Sequence, residues 1–164
     1  KQGQNAEAMS KVENLIAQKP RDPQMRFLKG VIQRDSGKVN EAIATFNKLT
    51  EDFPELPEPY NNLAVLYAQQ KQYDKAVEAI SRGLQPGRIA KVKRVDESQL
   101  LLGYSYYKLG RLEEARAAFT EAAKDPRAAE LVKLWLAVCV PPAAPAAPAE
   151  ATHAIVPAPA PAKP

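Results

Sequence analysis

Residues able to perform acid–base or nucleophilic chemistry are few in this sequence and lie far apart. The single histidine is His153, near the C-terminus, and the single cysteine is Cys139. The adjacent carboxylates of Glu113 and Glu114 face different directions on a helix, so they cannot act as a pair. No Cys or His pair has metal-ligand spacing, and no glycine-rich phosphate loop is present. The sequence therefore indicates no catalytic site, metal, cofactor or small-molecule substrate.

A second group of residues is suited to binding: a basic strip, defined as Arg82, Arg88, Lys91, Lys93 and Arg94. These cations could attract an anionic surface such as phospholipid head groups or nucleic acid. The simpler interpretation is a solvated loop, because charge runs usually lie on the surface. The strip contains no aromatic residue for base stacking, which argues against nucleic acid and leaves a membrane surface open.

Size and composition fit one soluble domain. The 164 residues are 45% hydrophobic and 26% charged, with a net charge of +4. No apolar run is long enough to span a membrane, and no signal peptide is present. Because the chain lacks an initiator Met and starts inside a repeat, we expect an N-terminally trimmed fragment, with any targeting segment removed. The single cysteine, Cys139, cannot form an internal disulfide. The sequence therefore does not indicate whether the protein resides in an oxidising or a reducing compartment.

The sequence repeats itself at an offset of 34 residues, which predicts stacked supersecondary units. The residues in register are Ala8 with Ala42 and Ala76, Val12 with Phe46 and Ile80, and Leu15 with Leu49. After a five-residue insertion the pattern returns at Gly103, Ala115 and Phe119. Such units build surfaces that hold other chains.

The repeated residues resemble those of the tetratricopeptide repeat, a helix–turn–helix unit. They are Gly30, Ala42, Phe46 and Pro54, then Leu63, Ala64, Tyr67, Ala76 and Ile80, then Leu102, Gly103, Tyr106, Ala115 and Phe119. There are departures from the family pattern. Lys29 stands where Leu is usual, Gly83 stands where a small apolar residue is usual, and no Trp opens a unit.

The resemblance implies an all-α, right-handed superhelical solenoid of antiparallel helix hairpins. We predict a repeat domain over 1–140, with a half repeat at 4–20, full repeats at 23–56, 57–90 and 96–129, and a capping helix at 127–139. The eight predicted helices are 4–18, 23–35, 40–51, 58–70, 73–84, 96–109, 112–124 and 127–139. Residues 141–164 contain eight Pro and ten Ala, and they are expected to form a mobile tail or linker.

Local signals predict several helix ends. Asp22 is expected to cap a helix that begins at Pro23, and Pro86 with Gly87 is expected to stop another. Asp96 and Gln99 have the spacing of a capping box. Glycines elsewhere are expected to serve helix packing or turns: Gly30, Gly37, Gly103 and Gly110.

By resemblance, the first helices of successive units line a concave groove that binds a partner segment. The groove residues expected here are Phe27, Val31, Arg34, Asn61, Val65, Gln69, Leu100, Tyr104, Tyr107 and Lys108. Core packing between repeats explains Phe27 and Val31 equally well. Tyr104 and Tyr107 are better contact candidates, because tyrosine tolerates one apolar and one wet end.

Some relatives of the family capture acidic C-terminal tails with a clamp of Lys and Asn. The matching positions here hold Phe27 and Val31, then Asn61 and Val65, so we predict no clamp of that kind. The capping helix is apolar nearly all round, through residues such as Leu131, Trp135 and Val138. Either these residues cover the preceding pair, or the helix meets a partner or a second copy of the chain.

These observations predict a non-catalytic scaffold or adaptor that binds a protein or peptide segment. The third unit, with LLLGYSYYKLGR at 100–111 and AKDPR at 123–127, resembles repeats in bacterial envelope proteins. A periplasmic or envelope-associated role in assembly is therefore favoured, with a cytoplasmic location as the alternative. Two other functions remain open: a regulatory domain of a larger envelope enzyme, or an anion-surface binder acting through the basic strip.

Overall fold

The computed structural model describes residues 2–140, and every regular element within that range is a helix. The helices are α1 (Gln2–Gln18), α2 (Pro23–Asp35), α3 (Val39–Asp52), α4 (Glu58–Gln69), α5 (Tyr73–Gly83), α6 (Pro86–Ile89), α7 (Val95–Lys108), α8 (Leu112–Ala122) and α9 (Ala129–Val138). The all-α prediction is confirmed. The prediction for 141–164 lies outside the described residues.

One short helix was not expected. Pro86 and Gly87 do not open an irregular loop, because Pro86–Ile89 form a single helical turn, α6. Proline is tolerated in a first turn, where its missing N–H costs no hydrogen bond. The predicted count of eight helices is therefore one too few for residues 2–140.

Of the two predicted N-caps, one is confirmed and one is wrong. The Asp22 side chain accepts a hydrogen bond from the Gln24 N–H at 2.9 Å, and Pro23 follows as the first helical residue. Helix α7 instead begins at Val95, so Asp96 lies inside its first turn and is not the N-cap. The Asp96 carboxylate accepts two hydrogen bonds from the Arg94 guanidinium, at 2.9 and 2.7 Å. This bidentate pair engages both carboxylate oxygens, one of which would have to accept from a backbone N–H if Asp96 were the N-cap.

Consecutive helices form hairpins that stack in sequence order. Helices α2 and α3, α4 and α5, and α7 and α8 pack as pairs, while α3 meets α4 and α5 meets α7 between pairs. Helix α1 packs on α2, and α9 packs on α8. Helix α1, the three hairpins and α9 therefore follow one another in a stack of sequence-adjacent helices.

The same position turns each hairpin. Gly37 and Gly110 adopt φ values of 77° and 74°, a left-handed conformation that glycine enters without steric cost. The equivalent residue in the middle hairpin is Lys71, which adopts φ 60°. A side chain there costs about 1–2 kcal/mol, which the surrounding hairpin has to offset.

Small residues on the first helix of each hairpin leave room for large side chains from the second helix. A Cβ on Gly30 would lie 2.7 Å from the Phe46 ring, so only glycine leaves room for this fully buried phenyl group. The middle hairpin holds the bulkier Ala64 at the position of Gly30 and the smaller Ile80 at that of Phe46. The predicted packing role of these small residues is confirmed.

Candidate protein-binding groove

The repeat register places two rows of residues on the first helices of the four units. One row is Phe27, Asn61, Leu100 and Leu134, and the other is Val31, Val65, Tyr104 and Val138. All eight residues keep solvent-accessible surface. By contrast, the residues that face the second helices, such as Gly30, Ala64 and Gly103, are buried. The two rows therefore lie on an open face of the solenoid, which we call the groove face.

A cleft of about 240 Å³ opens where α2, α4 and α7 meet the segment 84–94. Its apolar lining includes Phe27, Ile80, Leu84 and Val92. Pro57 also lines the cleft, and its polar lining includes Glu58, Asn61, Asn62, Lys91, Lys93, Arg94, Glu97 and Ser98. The cleft has the mixed apolar and polar lining that binding sites commonly show.

Hydrogen bonds fix the amides of α4 at this cleft. The Ser98 hydroxyl donates to Asn61 Oδ1 at 3.3 Å, which links α7 to α4. Arg34 Nη1 donates to Asn62 Oδ1 at 2.7 Å, and Asn62 Nδ2 donates to the Glu58 carbonyl at 3.0 Å. Sequence reasoning missed Asn62, although its place beside Asn61 at the helix start could have suggested it.

Phe27 is both a core residue and a cleft residue. Its ring centroid lies 5.5 Å from that of Phe46, and the side chain packs against the buried cluster of α3, α4 and α5. It also lines the cleft. Val31 packs on the same cluster but is not among the cleft-lining residues. The two alternatives from the sequence are thus combined at Phe27.

The basic strip does not form one continuous cationic surface. The Arg88 guanidinium donates to the Pro54 carbonyl, to the Arg82 carbonyl at 2.8 Å and to Gln85, and it lies 4.9 Å from the buried Tyr60 ring. Arg82 covers the same ring at 5.3 Å. These two arginines serve to hold the segment after α5 against the solenoid.

The remaining members of the strip border the cleft. Arg94 is held by the buried Asp96 and by Glu97, which lies 3.0 Å away, while Lys91 and Lys93 are exposed. The hydrogen bonds from Arg94 hold the pKa of the Asp96 carboxyl below its usual value, against the opposing effect of burial. The structure thus brings part of the strip together with Phe27 and Asn61, two surfaces that the sequence suggested separately.

Tyr104 and Tyr107, the tyrosines predicted to contact a partner, also pack on the terminal helix. The Trp135 ring stacks on Phe119 at 5.3 Å and meets Tyr104 at 5.7 Å and Tyr107 at 5.5 Å. The Lys108 ammonium lies 6.0 Å from the centroid of Tyr104. Both tyrosines remain half-buried, so each has one face on α9 and some surface in water.

Other predicted groove residues lie away from the cleft lining. Val65 is half-buried and Gln69 is exposed along α4, while Leu100 packs against the buried cluster of α8 and α9. On α9, Leu131, Leu134 and Val138 are 47%, 68% and 55% exposed. They stand in register with Glu97, Leu100 and Tyr104, so α9 continues the groove face with an apolar row.

Within residues 2–140, no cluster of three His, Cys, Asp or Glu side chains is arranged to hold a metal ion. No helix of this part combines the length and apolar character that crossing a bilayer requires.

Stacked helix hairpins with an open groove face define the class of helical-repeat solenoids. Two tetratricopeptide repeat models match the sequence, one over residues 34–88 and the other over 1–57 and 93–140. The chain belongs to the tetratricopeptide repeat family. A comparison with curated proteins found no match.

Several solved structures share the fold. MamA 41-end from Desulfovibrio magneticus RS-1 is 18% identical with a TM-score of 0.69, and the match covers 84% of this chain and 77% of that one. YrrB, described as having an unusual peptide-binding site, is 15% identical with a TM-score of 0.68, covering 78% and 63%. The N-terminal domain of stress-induced protein-1 from C. elegans is 19% identical with a TM-score of 0.61, covering 69% and 93%. At these identities the likeness establishes the fold alone.

Proposed function

We propose that this protein is a non-catalytic scaffold that binds a segment of another protein along its groove face. The observation that carries the proposal is the alignment of eight partly exposed residues, in two rows, across α2, α4, α7 and α9. Repeat solenoids commonly use such extended concave faces for binding. The cleft beside Asn61 supplies a recess on this face that can receive part of a partner segment.

The lining suits an extended or helical segment with a few apolar side chains. Apolar groups can enter the cleft against Phe27, Leu84 and Val92, while the Asn61 amide can bond to the partner backbone. A segment that reaches α9 would meet the exposed Leu134 and Val138. YrrB, which has a peptide-binding site according to its description, supports this mode of use by analogy.

As part of the same proposal, we assign the protein to assembly of the bacterial envelope, at the periplasmic side. Support comes from the likeness of residues 100–111 and 123–127 to repeats in envelope proteins. Fractionation of the source cells, followed by immunoblotting, tests the location. Recovery in the cytoplasmic fraction would contradict the envelope assignment and leave the groove proposal intact.

A selection from a random library of 12-residue peptides tests the groove proposal. The full-length protein is immobilised, and the selected peptides are then measured against Asn61→Ala and Val65→Ala variants. Loss of one hydrogen bond or one apolar contact is expected to weaken binding about three- to tenfold. The matched control is Glu78→Ala, an exposed position on the second helix α5. Equal binding by all variants, or no enrichment over the starting library, would contradict groove binding.

A further inference from the structure

The segment 84–94 contains the five-residue insertion that separates the second and third repeats, and it forms one wall of the cleft. Its residues Leu84, Lys91, Val92, Lys93 and Arg94 all line the cavity. The opposite side comes from the first helices, through Phe27 and Asn61 among others. The segment that carries the insertion therefore adds one side to a cleft on the groove face.

Two arginines fasten this wall. In its middle, Arg88 binds the Pro54 and Arg82 carbonyls and lies over Tyr60. At its C-terminal end, Arg94 forms its bidentate pair with Asp96, which is 4% exposed. A wall fixed in this way loses little conformational freedom when a ligand enters, which favours binding.

Three cations, Lys91, Lys93 and Arg94, line the cleft beside two carboxylates, Glu58 and Glu97. Arg94 is engaged in ion pairs with Asp96 at 2.7 Å and with Glu97 at 3.0 Å. Lys91 and Lys93 are exposed, and neither forms an ion pair within residues 2–140, so their ammonium groups are available to a ligand. The Ser98 hydroxyl donates to Asn61 Oδ1, and the Asn61 N–H₂ group adds a hydrogen-bond donor at the cleft. Ammonium groups and an amide donor are complementary to a carboxylate.

We infer that this cleft selects a partner segment in which an apolar side chain lies next to an acidic residue. The apolar group enters against Phe27, Leu84 and Val92, and the carboxylate meets Lys91, Lys93 and the Asn61 amide. This inference rests on the proposed groove function and names the chemistry of its partner. It also differs from the terminal-carboxylate clamp that the sequence argues against, because the lysines come from the segment 84–94 and not from the first helices.

The composition of the selected peptides tests the inference. Parallel selections from the random 12-residue library use the full-length wild type, a Lys91→Gln/Lys93→Gln variant, and a Lys19→Gln/Lys124→Gln variant. The last variant loses the same charge at exposed positions outside the cleft. The wild type and this control are expected to enrich Asp or Glu beside Leu, Ile, Phe or Met. The Lys91/Lys93 variant is expected to keep the apolar enrichment and lose the acidic one.

A selected peptide and its Glu→Gln counterpart then provide affinities. The wild type should prefer the acidic peptide about three- to tenfold, as expected for two partly exposed ion pairs, and the preference should shrink at high salt. Apolar enrichment without acidic enrichment in the wild type, or an acidic preference that survives in the Lys91/Lys93 variant, would overturn the inference alone. No enrichment in any pool would overturn the groove function with it.

Discussion

A Cβ atom on Gly103 would lie 2.7 Å from the ring of Phe119, closer than any packed side chain tolerates. Phe119 is fully buried and stacks on Trp135, so the ring has little freedom to move away. The glycine therefore sets the distance between α7 and α8. Since α8 in turn carries α9, it also influences the end of the groove face.

We accordingly expect Gly103→Ala to lower the free energy of unfolding by about 1–3 kcal/mol, the usual cost of overpacking a core. Urea titration followed by circular dichroism measures the loss. A Phe119→Ile change provides the control, because the middle hairpin pairs Ala64 with Ile80. The Gly103→Ala/Phe119→Ile double variant should be less destabilised than the sum of the two single changes. Simple additivity would contradict a steric conflict between these residues.

The aromatic cluster around Trp135 predicts that Tyr104 and Tyr107 hold the terminal helix. Both rings contact Trp135 edge-on, and aromatic pairs contribute about 0.5–1.5 kcal/mol each beyond burial. A Tyr104→Ala/Tyr107→Ala variant should therefore release α9 before the rest of the solenoid unfolds. Trp135 is the single tryptophan of the chain, so its fluorescence reports this step directly.

The expected result is a red-shifted emission and faster iodide quenching in the double variant at low urea. Tyr67→Ala, on the middle hairpin, serves as the comparison because it does not contact Trp135 among the aromatic pairs of residues 2–140. Unchanged Trp135 emission in the Tyr104/Tyr107 variant would contradict the structural role of these tyrosines. Any effect of the Tyr104→Ala/Tyr107→Ala substitutions on partner binding should be interpreted only after this measurement of the fold.

Acid is predicted to weaken the fold through the carboxylates at the start of α7 and after α8. Hydrogen bonds from Arg94 lower the pKa of Asp96, and side-chain and backbone hydrogen bonds from Arg127 lower the pKa of Asp125 to about 2. A carboxyl whose pKa is lower in the folded state contributes stability above its unfolded pKa of about 3.9. That contribution is lost as the pH falls through the folded-state pKa values.

Urea titrations at pH 7, 5, 4 and 3 test this expectation with Asp96→Asn. The variant should be less stable than the wild type at pH 7, because Arg94 loses a charged partner. The difference in stability between the two proteins should narrow as the pH falls below about 4, because the unfolded wild type then takes up a proton at Asp96. Glu55→Gln, which removes an exposed carboxylate, is the comparison. If the free energies of unfolding of the wild type and Asp96→Asn change in parallel with pH, the Arg94–Asp96 ion pair does not contribute the expected stability.

Most of the fold could be predicted from the sequence because the repeat signal is periodic. The spacing of Ala42, Phe46 and their equivalents depends on contacts that recur in every hairpin, so each unit supports the others. The N-cap at Asp22 was predictable for a similar reason, since it depends on neighbours in the chain. Helix ends were expected within one or two residues of those observed.

The cleft could not be predicted, because its wall includes the five-residue insertion, which interrupts the repeat pattern. In the sequence, Arg88, Lys91, Lys93 and Arg94 all read as members of one basic strip. Only contacts in the folded structure separate the anchoring arginines from the exposed lysines. Asp96 resembles a cap in sequence, but Arg94, two residues earlier, donates two hydrogen bonds to its carboxylate. The contact of Tyr104 with Trp135 was equally hidden, since it joins residues from different units.

The last prediction concerns the apolar row on α9. Leu134 is 68% exposed, so Leu134→Glu should change the free energy of unfolding by no more than about 0.5 kcal/mol. If α9 continues the groove face, Leu134→Glu should weaken the binding of apolar peptides from the library selection at least threefold. The sedimentation coefficient of the wild type should then stay constant across protein concentrations. Lys133→Glu, next to it and pointing elsewhere on the helix, is the matched control. A concentration-dependent sedimentation coefficient that Leu134→Glu abolishes would instead assign this row to association between copies of the chain.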